Sequence, residues 1–450
     1  MKLWQKGNSD QTLKNIETFT IGKDQLMDIH LAKFDLLGNI AHAIMLESVG
    51  LLEKHELIKL LRVCKDINQN EISKGKFKIE DGVEDVHSQI EYKLTKELGD
   101  IGKKIHSGRS RNDQVLVDLK MYLRDELTQI TNLIVSLSKC FIAKSNSHKN
   151  DYLPGYTHLQ IAMPSSFGLW FGAYAESLID DLSVLAGVYK VVNKNPLGSG
   201  AGYGSSFNLD RKLTTELLGF DQMDYNVVYA QMSRGKSEYL VSMAISSIAQ
   251  SLSKFAMDVC LYSSQNFAFI ELPTALTTGS SIMPHKKNPD VAEILRGKFN
   301  LLKALPTQIS SLTSNLPSGY HREFQLLKEL IIPAIIDFKD ALQLCEFMIE
   351  HIKVNKDLLE DPKYDLLFSV ENVNDLVNNG TTFRDAYRIV GEGINDGKFI
   401  PKRDLNHTLE GSIGNLDNSV LENRMDLILN ELNFGKVEQA YENLLNYEVK

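Results

Sequence analysis

NDQVLVDLKMYLRDELTQITNLIVSL, residues 112–137, decides the fold. Within it Leu116, Leu119, Leu123, Leu127, Ile130, Ile134 and Leu137 recur at steps of three and four residues, the period of one helix face. The pattern predicts a helix of about 30 residues, far longer than the usual three turns, with Asn112 or Asp113 capping its start. Four further stretches read as long helices. Residues 165–192 follow Pro164 and carry Leu169, Ala173, Leu178, Leu182 and Leu185 near one face. Residues 236–269 are apolar around much of the circumference, and 291–311 and 321–353 follow. Alternating β patterns are scarce. Long helices with wide apolar stripes predict an all-α fold, an elongated bundle. Extra apolar faces on the central helices predict that bundles also pack between subunits. Residues 1–110 read as an N-terminal helical domain, 111–360 as the central bundle, and 361–450, opening at Asp361-Pro362-Lys363, as a smaller C-terminal helical domain.

Composition bounds the function. The 450 residues suffice for a large core. A net charge of −9 argues against nucleic acid or an anionic membrane as the main partner. A hydrophobic share of 43% and a charged share of 24% are ordinary for a globular chain. No apolar run reaches the roughly 20 residues of a membrane span, and MKLWQKGNSD has no signal-peptide core. Cys64, Cys140, Cys260 and Cys345 form no CxxC pair and read as buried thiols of a reducing cytoplasm. Neither a metal-ligand motif nor a phosphate-cradling GxxxxGK[ST] occurs.

Four polar segments sit at the ends of the long helices. In HSGRSRNDQ (106–114), Arg109 and Arg111 flank Ser110, and Asn112 follows. Two guanidiniums and an amide beside a helix N-terminus suit an anion, though a solvated basic turn with an N-cap explains RSRND alone equally well. GYTHLQ (155–160) sets Thr157, His158 and Gln160 in a tight turn. His158 has the titration range of a general acid or base, although a lone turn histidine is more often structural. TTGSSIMPHKKNPD (277–290) is a non-helical loop rich in hydroxyls, amines and N–H donors. Ser280 or Ser281 could act as nucleophile or base there if neighbouring N–H groups, Lys286 and the following helix dipole stabilise an alkoxide. Glu293 lies one turn into that helix, placed to orient an imidazole. In YHREFQLLK (320–328), Tyr320, Gln325 and Lys328 suit a carboxylate or an amino-acid head group, or form the polar face of an amphipathic helix.

Together these segments resemble a known family. GSSIMPHKKNP looks like the signature loop of the fumarase/aspartase superfamily, and HSGRSRNDQ, GYTHLQ and YHREFQLLK resemble its argininosuccinate lyase branch. The match also takes in Lys2-Leu3-Trp4, GVEDVH (82–87), PLGSG (196–200) and TFRDA (382–386), and so spans nearly the whole chain.

The resemblance implies cofactor-free cleavage of argininosuccinate to arginine and fumarate. It implies a cytoplasmic homotetramer whose active sites are each built from three subunits, with neither nucleic acid nor membrane as partner. By resemblance Ser280 is the base, His158 the general acid and Glu293 its charge partner. Lys286 and Asn288 would hold the succinyl carboxylates with Ser110, Arg111, Asn112 and Thr157, and Ser281 would neighbour the base. Tyr320, Gln325 and Lys328 would bind the substrate through its arginine moiety or a carboxylate, with His87 nearby. The chain departs from the family at His285, usually Gln, and at Asp24, where many relatives have a substrate-binding serine; Asp24 could pair with an α-ammonium group instead. The other readings are a fumarate-releasing lyase acting on a different N-substituted aspartate, and a non-catalytic, crystallin-like relative.

Overall fold

The computed structural model describes residues 11–449. Lys2-Leu3-Trp4 lies outside them. The expected all-α architecture is found. The chain opens with α1 (Gln11–Ile21), α2 (Asp24–Asp28), α3 (Ala32–Ser48), α4 (Lys54–Ile67), α5 (Val86–Leu98) and α6 (Asp100–Lys103). The long α7 (Arg111–Ser147) and α8 (Phe167–Val192) follow, joined by a hairpin of β1 (Tyr152–Thr157) and β2 (Gln160–Ser166). The short α9 (Arg211–Leu217) and α10 (Val227–Met232) lead to α11 (Lys236–Tyr262), α12 (Asp290–Lys303), α13 (Leu305–Leu312) and α14 (Leu326–His351). α15 (Ser369–Asn378), α16 (Phe383–Asn395), α17 (Asn418–Asn430) and α18 (Phe434–Leu445) complete the chain.

The predicted stripe is the seam of the bundle. Leu116, Leu119, Leu123, Leu127, Ile130, Ile134 and Leu137 are all buried, and all but Leu116 belong to one continuous core that runs from Leu31 to Leu444. A second, small core lies under α15 and α16, around Val373, Ala386 and Val390.

Helix ends differ from the sequence reading for local reasons. The cap of α7 is Ser110, whose Oγ accepts from Asn112 N at 3.3 Å, while the Asp113 carboxylate accepts from Ser110 N at 2.8 Å. Asp113 is thus the third residue of a capping box rather than the cap. Its other oxygen accepts the N–H groups of Gly198 and Gly200, each at 2.9 Å, which accounts for the PLGSG segment. α11 ends at Tyr262, seven residues early, where the chain folds back so that Phe269 N donates to Tyr262 O at 2.8 Å. The stretch 291–311 is two helices, broken at Ala304 because Pro306, at the start of α13, has no N–H to give the preceding turn. The turn before Leu326 is a 3₁₀ helix, Arg322–Gln325.

Buried polar contacts fix the bundle's register. Lys120 on α7 meets Asp224 at 2.5 Å, with side chains 2% and 1% exposed. Removing one member of such a pair strands the other charge in the core. Asp224→Ala is therefore expected to cost about 3–5 kcal/mol of unfolding free energy. The midpoint of chemical unfolding measures it, and an unchanged midpoint would mean that Lys120 is not held by Asp224.

The helix order sets two working ends. α7 rises from Arg111 to Ser147, about 55 Å at 1.5 Å per residue. The hairpin sits beyond its far end, and α8 returns. α11 starts beside Arg234 and runs outward again for about 40 Å. Its end meets the hairpin end: Trp170 and Tyr262 ring centroids are 5.1 Å apart, and those of Tyr156 and Phe267 5.5 Å. α12 and α13 come back, and α14 climbs once more until Lys144 Nζ donates to Ile352 O at 3.2 Å. The starts of α7, α11 and α14 therefore share one end, and the hairpin shares the other with the 277–290 loop.

Candidate active site

A cleft of about 160 Å³ opens where α2, α5, α7 and α14 begin. Seven residues singled out from the sequence line it: Asp24, His87, Arg111, Asn112, Tyr320, Gln325 and Lys328. Ser110 adjoins them as the α7 cap. Each is set by a helix start, where backbone N–H groups lack partners and the dipole favours negative charge.

Charge in the cleft is paired. Lys328, 3% exposed, meets Asp24 at 2.5 Å and also donates to Asp28. Burial alone would push Lys328 down, but Asp28 and Asp24 hold it above the usual lysine range. Burial pushes the Asp24 carboxyl up to about 6; Lys328 opposes the rise and Asp28 adds to it. Arg111 donates to Asp85 at 2.9 Å. Gln325 Nε2 donates to the carbonyls of Thr20 and Ile21, at 3.1 and 2.9 Å, which orients its amide. Asn112 and Tyr320 make no side-chain hydrogen bond among the described residues.

Behind the cleft lies a fully buried cluster. His87 Nδ1 donates to Asp35 Oδ1 at 2.7 Å, and Gln114 Nε2 donates to the same oxygen at 2.7 Å. Asp118 lies alongside. Burial alone would push His87 down, but Asp35, Asp85 and Asp28 together hold it above the usual histidine value. Asp35, His87 and Asp118 offer ligand atoms within 4.8 Å of one another, close enough for a metal ion. Nδ1, however, is spent as an N–H donor to Asp35, so the set fits a hydrogen-bonded cluster. The three residues lie far apart in sequence, and no spacing motif could have signalled them.

The remaining predicted residues are at the opposite end. Thr157 and His158 are exposed on the hairpin. Its two-residue turn has His158 at φ 54° and Leu159 at φ 58°, the left-handed geometry that favours Gly or Asn. For a leucine this conformation is strained, by about 1–3 kcal/mol, and such strain clusters at functional sites. The 277–290 loop is tied at its base by Thr278 N to Asn288 O at 3.1 Å and Asn288 N to Thr278 O at 2.8 Å. At its tip Ser280 Oγ accepts the N–H of Met283 at 3.1 Å and of Ile282 at 3.4 Å. Those donors lower the cost of negative charge on that oxygen. Ser281 and Lys286 are exposed, as is Glu293 one turn into α12. The structure therefore gathers the cleft residues but leaves Thr157, His158, Ser280, Ser281, Lys286, Asn288 and Glu293 at the other end of the bundle.

Sequence reading missed Asp28, Glu84, Asp85, Arg234 and Arg322, all of which line the cleft. Glu84 and Asp85 sit inside GVEDVH, and Asp28 falls one helical turn after Asp24, so both had a signal. Arg322 sits inside YHREFQLLK and had the same kind of signal; Arg234 had none.

The family model described as Lyase matches residues 7–300. An argininosuccinate lyase of Phocaeicola vulgatus is 55% identical over 444 residues, covering 99% of each chain. One from Thermotoga neapolitana is 40% identical over 394 residues, covering 87% of this chain and 98% of the other. A solved EDDS lyase variant with bound fumarate shares the fold at TM-score 0.78 and 19% identity, covering 98% of this chain and 94% of that one. Fold and matches together define a carbon–nitrogen lyase of the all-helical fumarase/aspartase superfamily. Within that class, the chain belongs to the argininosuccinate lyase family.

Proposed function

We propose that this enzyme cleaves argininosuccinate to L-arginine and fumarate, in arginine biosynthesis, and that Ser280 is the base. The observation that carries the reading is the Ser280 oxygen, already holding two backbone N–H groups. As the alkoxide, Ser280 takes a proton from the carbon next to a succinyl carboxylate. The negative charge moves into that carboxylate, giving a dianion that Lys286 and Asn288 hold with Ser110, Arg111, Asn112 and Thr157. His158, supported by Glu293, protonates the leaving guanidino nitrogen as the C–N bond breaks. Ser281 stands beside the base. Asp24, His87, Tyr320, Gln325 and Lys328 bind the substrate from the cleft. No step requires a cofactor.

Cleft and loop are separated in one chain by the length of α11, about 40 Å. A complete site then needs the cleft of one subunit and the loop of another. Exposed Met243 and Met257 on α11, Ile294 and Leu301 on α12, and Leu344 and Phe347 on α14 supply apolar surface for such packing. We read the assembly as a homotetramer. Among the described residues no helix is long and apolar enough to cross a membrane. The four cysteines are free, which fits a cytoplasmic enzyme.

Fumarate absorbance on adding argininosuccinate to the purified protein tests the reading; turnover of adenylosuccinate or aspartate without turnover of argininosuccinate overturns it. Asp24 makes it pH-dependent. With its carboxyl at about 6, Asp24 loses charge as pH falls through that value, and with it the attraction for the substrate's α-ammonium group. KM is expected to rise about tenfold per pH unit below this point, and Asp24→Asn to flatten the rise. An unchanged slope in the variant would assign the limb to another group.

A further inference from the structure

We infer that Asp118 carries a proton and donates it to Asp35, and that this buried pair makes His87 a fixed donor whose Nε2–H meets a substrate carboxylate in the cleft. The inference rests on the cleft being the substrate site proposed above, and adds two positioning residues, Asp35 and Asp118, behind a binding one.

The geometry starts from Asp35, on α3 and 1% exposed. It accepts three hydrogen bonds: His87 Nδ1 and Gln114 Nε2 on one oxygen, each at 2.7 Å, and Asn39 Nδ2 on the other at 2.9 Å. Three converging donors define an ionised acceptor. Asp118, on α7, is completely buried; neither of its oxygens makes a hydrogen bond, and the nearest N–H, His87 Nδ1, stands 3.3 Å from Oδ2 but is directed at Asp35. The α3 backbone closes over it: a Cβ on Gly38 would stand 3.4 Å from Asp118 Oδ1. An ionised carboxylate without donors, pressed against a second one in the core, is a costly arrangement. One proton on Asp118, directed at Asp35, resolves it. It leaves a single negative charge between the two carboxyl groups. The strong upward push on Asp118 from burial and from Asp35 runs in the same direction.

That single charge sets the state of His87. Asp35 receives Nδ1–H, and Asp28 and Asp85 add negative charge from α2 and from the turn before α5. Arg109 and Lys328 face the same region with opposite sign. The same charges hold His87 above the usual histidine value, the direction that favours a proton on both ring nitrogens. Nδ1–H is spent on Asp35. Nε2 has no partner among the described residues, and His87 lines the cleft. The result is an N–H whose direction is fixed from behind, in the cleft proposed above to bind the substrate.

Substitutions at Asp118 separate a proton donor from a filler. Asp118→Asn keeps a donor toward Asp35 and is expected to retain kcat/KM within about threefold, whereas Asp118→Ala should lose about tenfold or more, mainly through KM. Asp35→Asn should make kcat/KM fall with rising pH above about 6.5, where the parent is flat, because His87 then titrates near its ordinary value. Asp118→Asn as impaired as Asp118→Ala, or Asp35→Asn with the parent's pH profile, overturns the proposal. ¹⁵N spectra of the substrate-free parent, with His87→Gln to assign the signal, read the ring directly. Two protonated nitrogens at pH 7.5 are expected, and a neutral ring overturns the proposal whether or not argininosuccinate proves to be the substrate.

Discussion

Replacing Ser280 by alanine is expected to lower kcat about 10²–10⁴-fold, the range a positioned general base contributes, with KM and assembly near those of the parent. The loop geometry explains why the loss should be confined to chemistry. Ser280 Oγ accepts only from Met283 N and Ile282 N within its own loop. The loop is closed independently, by the backbone pair between Thr278 and Asn288. Truncating Ser280 to Cβ removes the oxygen without opening a cavity in the core. Ser281 is exposed and makes no side-chain hydrogen bond among the described residues, so Ser281→Ala should stay within about threefold of the parent. Steady-state kinetics on the two variants decide between them. A dead Ser281→Ala beside an active Ser280→Ala would move the base by one residue.

The parts legible in the sequence are those in which chemistry and spacing coincide. The stripe from Leu116 to Leu137 was readable because a bundle seam obeys the helical period over its whole length. GSSIMPHKKNP and HSGRSRNDQ were readable because loops and caps put their functional groups side by side in the chain. What could not be read is whatever the fold assembles from distant positions. Asp35, His87 and Asp118 come from three helices, and Arg234 reaches the cleft from a turn outside every quoted motif. The cap of α7 was misplaced by two or three residues because Asn112, Asp113 and Ser110 are all good capping types; only the direction of the hydrogen bonds selects Ser110. The strain at His158-Leu159 was also hidden, since neither residue announces a left-handed turn.

The separation of cleft and loop leads to the prediction with the largest rise in activity, obtained from two inactive proteins. Asn112→Ala damages the cleft, and Ser280→Ala damages the loop. Each variant alone should be nearly inactive. If every site takes its cleft from one subunit and its loop from another, random mixing of the two variants restores an intact pair at about one site in four, so the hybrid should recover about a quarter of parent activity. Asn112 suits this test because its side chain holds no structural hydrogen bond among the described residues, so the variant should assemble normally. Differently tagged variants, co-expressed and purified through both tags, give the hybrids for the fumarate assay. If the cleft and loop of one chain served the same site, every site in the hybrid would carry one defect and no activity would return. The distances favour recovery: a rigid helix of about 40 Å stands between the two groups of residues, and folding of one chain cannot shorten it.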